Sequence, residues 1–125
     1  MTIIERVKTW VPFGAVPEVE PDALRDALAS DAPPVLLDVR THAEWTRSRI
    51  EGAVSVPILE LEARLEALGF ARDQSIVAIC LSAHRSIPAV RLLRKRGFER
   101  VVQLRGGMLA WWALKLPTLN GDERK

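Results

Sequence analysis

Ser75-Ile76-Val77-Ala78-Ile79-Cys80-Leu81-Ser82-Ala83-His84-Arg85-Ser86 decides how the chain is read. Ile76 to Ile79 is an unbroken apolar run rich in β-branched residues, the pattern of a strand buried on both faces. Ile87 and Pro88 then lead into Ala89-Val90-Arg91-Leu92-Leu93-Arg94-Lys95-Arg96, which reads as a helix. Ser86 is the expected N-cap of that helix, and Pro88 is tolerated in its first turn, where no intrahelical donor is needed. Between strand and helix lies a short loop that opens with the single cysteine of the chain, Cys80. A thiol placed there faces unpaired backbone N–H groups and the positive end of a helix dipole, an arrangement that stabilises anions. Four residues separate Cys80 from Arg85, so the loop is a small cradle with a nucleophile at one end and a cation at the other. A lone cysteine closing a buried strand is most often an inert small apolar side chain. Here the polar, partly cationic turn behind it argues for chemistry instead.

Composition sets the bounds. A chain of 125 residues suits one domain with one core. One cysteine excludes an internal disulfide or a cysteine-rich cluster, and two histidines without paired spacing give no metal-site signature. No cofactor is implied. No stretch is long and apolar enough to span a bilayer, and the N-terminus lacks the pattern of a secretion signal. A cytoplasmic location is the expectation, since a free reactive thiol fits a reducing compartment. The formal net charge of +2 is unevenly spread: Arg85 to Lys115 holds eight basic residues and one acid, Glu99. Most of those arginines read as a solvated helix face. The excess also places a positive field near the cysteine loop, which favours a small anionic substrate. Nucleic acid is not the expected partner, because no recognition motif or aromatic-basic interleaving accompanies the charge.

Outward from the loop, strands and helices alternate. Ile3, Ile4, Val7, Trp10 and Val11 give residues 1–14 one apolar helical face, an amphipathic segment suited to packing or to docking on a partner or a membrane surface. Val16 to Val19 reads as a short edge strand, since Pro17 bars a central one. Pro21 to Leu28 reads as a helix with proline in its first turn. Val35 to Val39 is a buried strand, and Thr41-His42-Ala43-Glu44 is a capping box opening a helix over Ala43 to Arg47. Ala53 to Val56 is a third strand, stopped by Pro57. Leu61, Leu65 and Leu68 mark a helix face ended by Gly69. After the cysteine strand and its helix, ended by Gly97, come a strand from Val101 to Leu104 and a short helix from Met108 to Leu114. Residues 119–125 read as a polar tail.

Connections too long for hairpins make this an α/β domain, a mostly parallel central sheet of about five strands with helices on both faces, spanning residues 15–118. Ligands of such sheets sit beyond the carboxyl ends of the strands. Cys80 ends one strand, and Asp38 and Arg40 end another, so the three are expected near one site. Asp38 reads first as a structural carboxylate, with Arg40 in a supporting role beside it.

Leu37-Asp38-Val39-Arg40, Glu44 and Ile50-Glu51-Gly52-Ala53-Val54-Ser55-Val56-Pro57 together resemble the first sequence block of single-domain rhodaneses. Cys80 to Ser86 resembles their active-site loop, and Gly97-Phe98 through Arg105-Gly106-Gly107-Met108-Leu109-Ala110-Trp111 their C-terminal block. The resemblance covers about residues 16–117 in three ordered blocks. It implies the three-layer rhodanese fold and a sulfurtransferase of the thiosulfate:cyanide kind, working through a Cys80 persulfide. Leu81, Ser82, Ala83, His84, Arg85 and Ser86 would line the donor site, with Arg85 orienting the anionic donor or holding the loop. The implied partners are a small anionic sulfur donor, a thiol or cyanide acceptor and a sulfur-relay protein. A sulfur-carrier or partner-binding module is the alternative. A phosphatase or arsenate reductase of the same fold is disfavoured, because related phosphatase domains have a loop one residue longer.

Two positions depart from the family pattern. Ala83 stands where glycine is common, and Arg49 replaces a frequent histidine and reads as structural. His84 beside Arg85 can add positive potential or titrate near neutrality.

Overall fold

The computed structural model describes residues 16–82 and 84–121. The amphipathic segment expected over residues 1–14 lies outside them, as do Ala83 and residues 122–125. Ten elements follow in alternation: β1 (Glu18–Val19), α1 (Pro21–Leu28), β2 (Val35–Asp38), α2 (His42–Arg47), β3 (Val54–Ser55), α3 (Ile58–Leu68), β4 (Ile76–Ile79), α4 (Ser86–Lys95), β5 (Val101–Leu104) and α5 (Gly107–Ala113). The strands form one five-stranded sheet in the order β1-β5-β4-β2-β3, and every pairing is parallel. The expected edge strand is there, as β1.

Side-chain alternation along the strands sorts the core into two layers. Ile76, Ala78 and Cys80 of the central strand join Leu37, Val39 and Val101 on one face, where Leu61 and Leu65 of α3 and Ala89, Val90 and Leu93 of α4 cover them. Val77 and Ile79 point the other way, with Leu36, Val102 and Leu104, against Leu24 of α1 and Met108 and Trp111 of α5. Both layers are wholly apolar at their centres, so burial of these two sets supplies the main drive to fold.

The helix ends carry the expected signals. Thr41 and Glu44 close a full capping box at the start of α2. Gly69 takes the left-handed conformation that stops α3. Ser86 differs from its expected place. The N-cap of α4 is Arg85, and Ser86 is the first helical residue. Its hydroxyl is drawn away from the helix amides by partners inside the domain. At the other end of the chain, Leu119 exchanges two backbone hydrogen bonds with Arg49, and the Gly121 carbonyl accepts from the Arg49 guanidinium, so the chain is held to the domain as far as Gly121.

Sheet order positions the site. From β2 the chain moves outward to β3, then returns across β2 to β4 and on to β5. The reversal leaves a crevice beyond the carboxyl ends of β2 and β4, where parallel sheets hold their ligands. Asp38, the last residue of β2, is in register with Ile79, the last residue of β4.

Candidate active site

Cys80 follows β4 directly and points to the α4 face, as its alternation with Ile76 and Ala78 requires. Gln103 lies on the adjacent strand, one alternation beyond Val101, and so reaches the same face. Three polar groups meet there. Ser86 Oγ sits 3.3 Å from Cys80 Sγ and donates to Gln103 Oε1 at 2.6 Å. Gln103 Nε2 in turn donates to Glu18 Oε2 at 2.9 Å, which fixes which end of its amide faces Ser86. Cys80 itself is 1% exposed, and Ser86 and Gln103 are buried with it.

The loop backbone is locked from behind by α5. The Met108 N–H donates to the Cys80 carbonyl at 2.9 Å, and the Leu109 N–H to the Leu81 carbonyl at 3.0 Å. These are amides of the first helical turn, which have no intrahelical acceptor. In a trans peptide the carbonyl and the following N–H point in opposite directions. With both carbonyls tied to α5, the amides of Leu81 and Ser82 are turned away from it. The close approach depends on Gly107, at φ +59°. A Cβ there would lie 2.4 Å from the Cys80 carbonyl oxygen and 2.6 Å from that of Leu81.

Arg85 closes the loop at its far end by forking onto Glu44 of α2, with Nη1 to Oε1 at 2.6 Å and Nη2 to Oε2 at 3.0 Å. Such two-point pairs fix orientation as well as distance. The Arg85 hydrogen bond, ahead of those from Thr41, holds the Glu44 carboxyl at a pKa of about 2 against an ordinary 4.5. Reciprocally, Glu44 first, with Cys80 and Asp38 farther off, pushes Arg85 above its usual value. The cation expected at the cradle's rim is thereby balanced by a carboxylate that also caps α2.

Asp38 and Arg40 are brought to the same end of the sheet but are committed to each other. Arg40 donates through Nε and Nη2 to the Asp38 carboxylate, at 3.0 and 2.8 Å, and again through Nη2 to the Ser48 carbonyl at 2.7 Å. Both side chains are almost fully buried. Leu81 and Ser82 are half-buried along the loop. His84 is exposed, its ring nitrogen 3.4 Å from Ser82 Oγ. The described residues contain no group of three or more His, Cys, Asp or Glu able to hold a metal, and no helix among them is long and apolar enough to cross a membrane.

Glu44 and Gln103 are the members of the site that sequence reasoning did not single out. Glu44 was accounted for by the capping box. Gln103 carried one signal, a polar residue inside an otherwise apolar strand.

The family model for the rhodanese-like domain matches residues 20–114. The chain belongs to the rhodanese-like family. Among relatives, an Allochromatium vinosum protein named as a sulfurtransferase is 33% identical over 102 residues, covering 82% of this chain and 94% of its own length. "Putative sulfur carrier protein YrkF" of Bacillus subtilis is 34% identical over 97 residues, 78% of this chain, which spans 51% of that longer protein. The human single-domain sulfurtransferase TSTD1 superposes with a TM-score of 0.70 at 28% identity, covering 80% of this chain and 97% of the human one. The five-stranded parallel sheet flanked by helices is thus the rhodanese-like fold. Sulfurtransferases and a protein named for sulfur carriage both stand among its relatives.

Proposed function

We propose that this protein is a sulfurtransferase that carries sulfane sulfur on Cys80. The observation that carries the proposal is the placement of that thiol at the crevice beyond β2 and β4, in a loop whose carbonyls are tied to α5. The Leu81 and Ser82 amides are therefore free to face a bound anion. In the first step the Cys80 thiolate attacks the outer sulfur of a small donor such as thiosulfate. The sulfur–sulfur bond of the donor breaks, its electron pair leaves with sulfite, and a Cys80 persulfide anion remains. An acceptor thiolate or cyanide then takes the outer sulfur, returning the electron pair to Cys80 as thiolate. No second cysteine exists in the chain to resolve the persulfide internally, so the acceptor is another molecule.

Burial of Cys80 suits a small donor. Arg85 holds the loop against α2 through Glu44, and Ser86 Oγ, whose own proton goes to Gln103, accepts from the Cys80 S–H in the resting thiol. Cytoplasmic residence is part of the same reading, since a free persulfide-forming thiol works in a reducing compartment. Sulfite release from thiosulfate, followed in a single turnover, tests the proposal. One sulfite per protein is expected from the wild type and none from Cys80→Ser; release by that variant would sink it.

The relative named for sulfur carriage favours a second reading, in which another protein loads Cys80. Slow loading by thiosulfate with fast loading from a persulfide-bearing protein would select it. Turnover of an aryl phosphate would instead support the phosphatase alternative.

A further inference from the structure

Beside the loop lies a cavity of about 260 Å³, lined by Arg40, Glu44, Arg47, Ser48, Leu81 and Trp112. Most of its polar groups are engaged elsewhere. Arg40 is committed to Asp38 and the Ser48 carbonyl, and Glu44 to Arg85 and Thr41. The Trp112 indole N–H donates to Ser48 Oγ at 3.0 Å, which stands the ring as a fixed wall. Arg47 differs. It ends α2 and is exposed, and its side chain makes no hydrogen bond or ion pair with the described residues. Of the lining residues, it alone offers a charge without a partner among the described residues. The apolar surface beside it comes from Leu81, next to Cys80 in the loop, and from Trp112, which is 36% exposed.

We propose that Arg47 selects the sulfur acceptor, reading the carboxylate of a small organic thiol whose carbon body rests on Trp112 and Leu81. The inference rests on the sulfur-transfer reading and names the acceptor class for it. Size and chemistry decide between acceptor and donor. The volume is below the roughly 300–1,000 Å³ of sites for drug-sized ligands, which suits a short thiol. An inorganic donor has no carbon body to use the apolar wall, whereas a carboxylate-bearing thiol uses wall and guanidinium together. In the step served, the acceptor thiol gives its proton to the Cys80 persulfide anion, and its thiolate attacks the outer sulfur. A new sulfur–sulfur bond forms on the acceptor, the old one breaks, and Cys80 leaves as thiolate, with no net oxidation.

Arg47 also suits the C-terminal end of the α2 dipole, a purely structural role. That role would change stability and leave acceptor choice untouched. The test loads wild type and Arg47→Met with sulfur, confirms the load by intact mass, and follows transfer to mercaptoacetate and to mercaptoethanol. Each thiol is compared between the two proteins, so its own reactivity cancels. The variant should raise the KM for mercaptoacetate about tenfold, with kcat and mercaptoethanol kinetics unchanged. Equal effects on both thiols would overturn the proposal, and so would a defect confined to loading by thiosulfate, which would make Arg47 a donor residue. A second measurement does not depend on transfer. (Methylthio)acetate, which cannot accept sulfur, should shift the Trp112 indole N–H resonance in unloaded wild type and not in Arg47→Met. Absence of the shift in wild type would overturn the assignment of the cavity. Failure of the wild type to load, with the shift present, would count against the sulfur-transfer reading alone.

Discussion

Gly107→Ala is expected to cost far more than its small size suggests, and Gly52→Ala provides the measure. Both glycines sit at positive φ, +59° and +86°, so an alanine at either adopts the left-handed conformation at about 1–2 kcal/mol. Both replacements also remove the same freedom from the unfolded chain, so that effect cancels between them. At Gly52 nothing lies within 4 Å of the added methyl. At Gly107 the methyl would lie 2.4 Å from the Cys80 oxygen and 2.7 Å from the Leu81 carbonyl carbon, both backbone atoms. The cysteine loop or α5 must move. The two hydrogen bonds from Met108 and Leu109 are then weakened, each worth about 1 kcal/mol net. Overpacking adds about 1–3 kcal/mol. The expected loss is about 4–6 kcal/mol for Gly107→Ala, a large part of the roughly 5–15 kcal/mol that holds a domain folded. Equilibrium urea unfolding of both variants measures it, and Tm should fall by roughly 15 °C more steeply than a surface glycine change allows. Sulfur loading should slow in Gly107→Ala and stay normal in Gly52→Ala. Stabilities of the two variants within about 0.5 kcal/mol of each other would refute the claim that α5 locks the loop.

Other perturbations read the ion pairs. Glu44 has its pKa lowered to about 2 by Arg85, so its stabilisation is full above the unfolded value near 4.5 and is lost as pH falls toward 2. With the Glu44 side chain 26% exposed, that contribution is about 2 kcal/mol. Glu44→Gln should lose it at pH 7 and show a correspondingly shallower acid decline, measured as urea midpoints at pH 6 and pH 3. Asp38→Asn leaves the Arg40 guanidinium buried without its counter-charge and should destabilise by about 3 kcal/mol in denaturant unfolding, while persulfide loading at saturating donor persists. A loss of loading with stability intact would give Asp38 a direct chemical role instead.

Local signals in the sequence carried much of the fold. Ile76 to Ile79 announced a strand buried on both faces, Thr41 and Glu44 announced a capping box, and Gly69 announced a helix end; each is formed as read. Parallel pairing followed from long connections. Strand order did not, because the pattern along β2 is the same whichever neighbour it takes. The site shows the same division. The spacing of Cys80 and Arg85 marks a short strand-to-helix loop, which is formed, but Arg85 meets Glu44 from 41 residues away, and no local pattern reports that pairing. Ser86 had the local look of an N-cap. It is instead the first residue of α4 because Gln103, from the next strand, takes its hydroxyl. Gly107 entered the sequence reading within the C-terminal block of the resemblance, and the packed structure alone shows the methyl-free gap through which α5 reaches the Cys80 carbonyl.

The most direct test of sulfur carriage on Cys80 is the intact mass of the protein after incubation with thiosulfate, with and without later cyanide. A gain of one sulfur, removed by cyanide and absent from Cys80→Ser, is the predicted result. An unchanged mass with thiosulfate and with persulfide donors alike, or a gain that persists in Cys80→Ser, would contradict it.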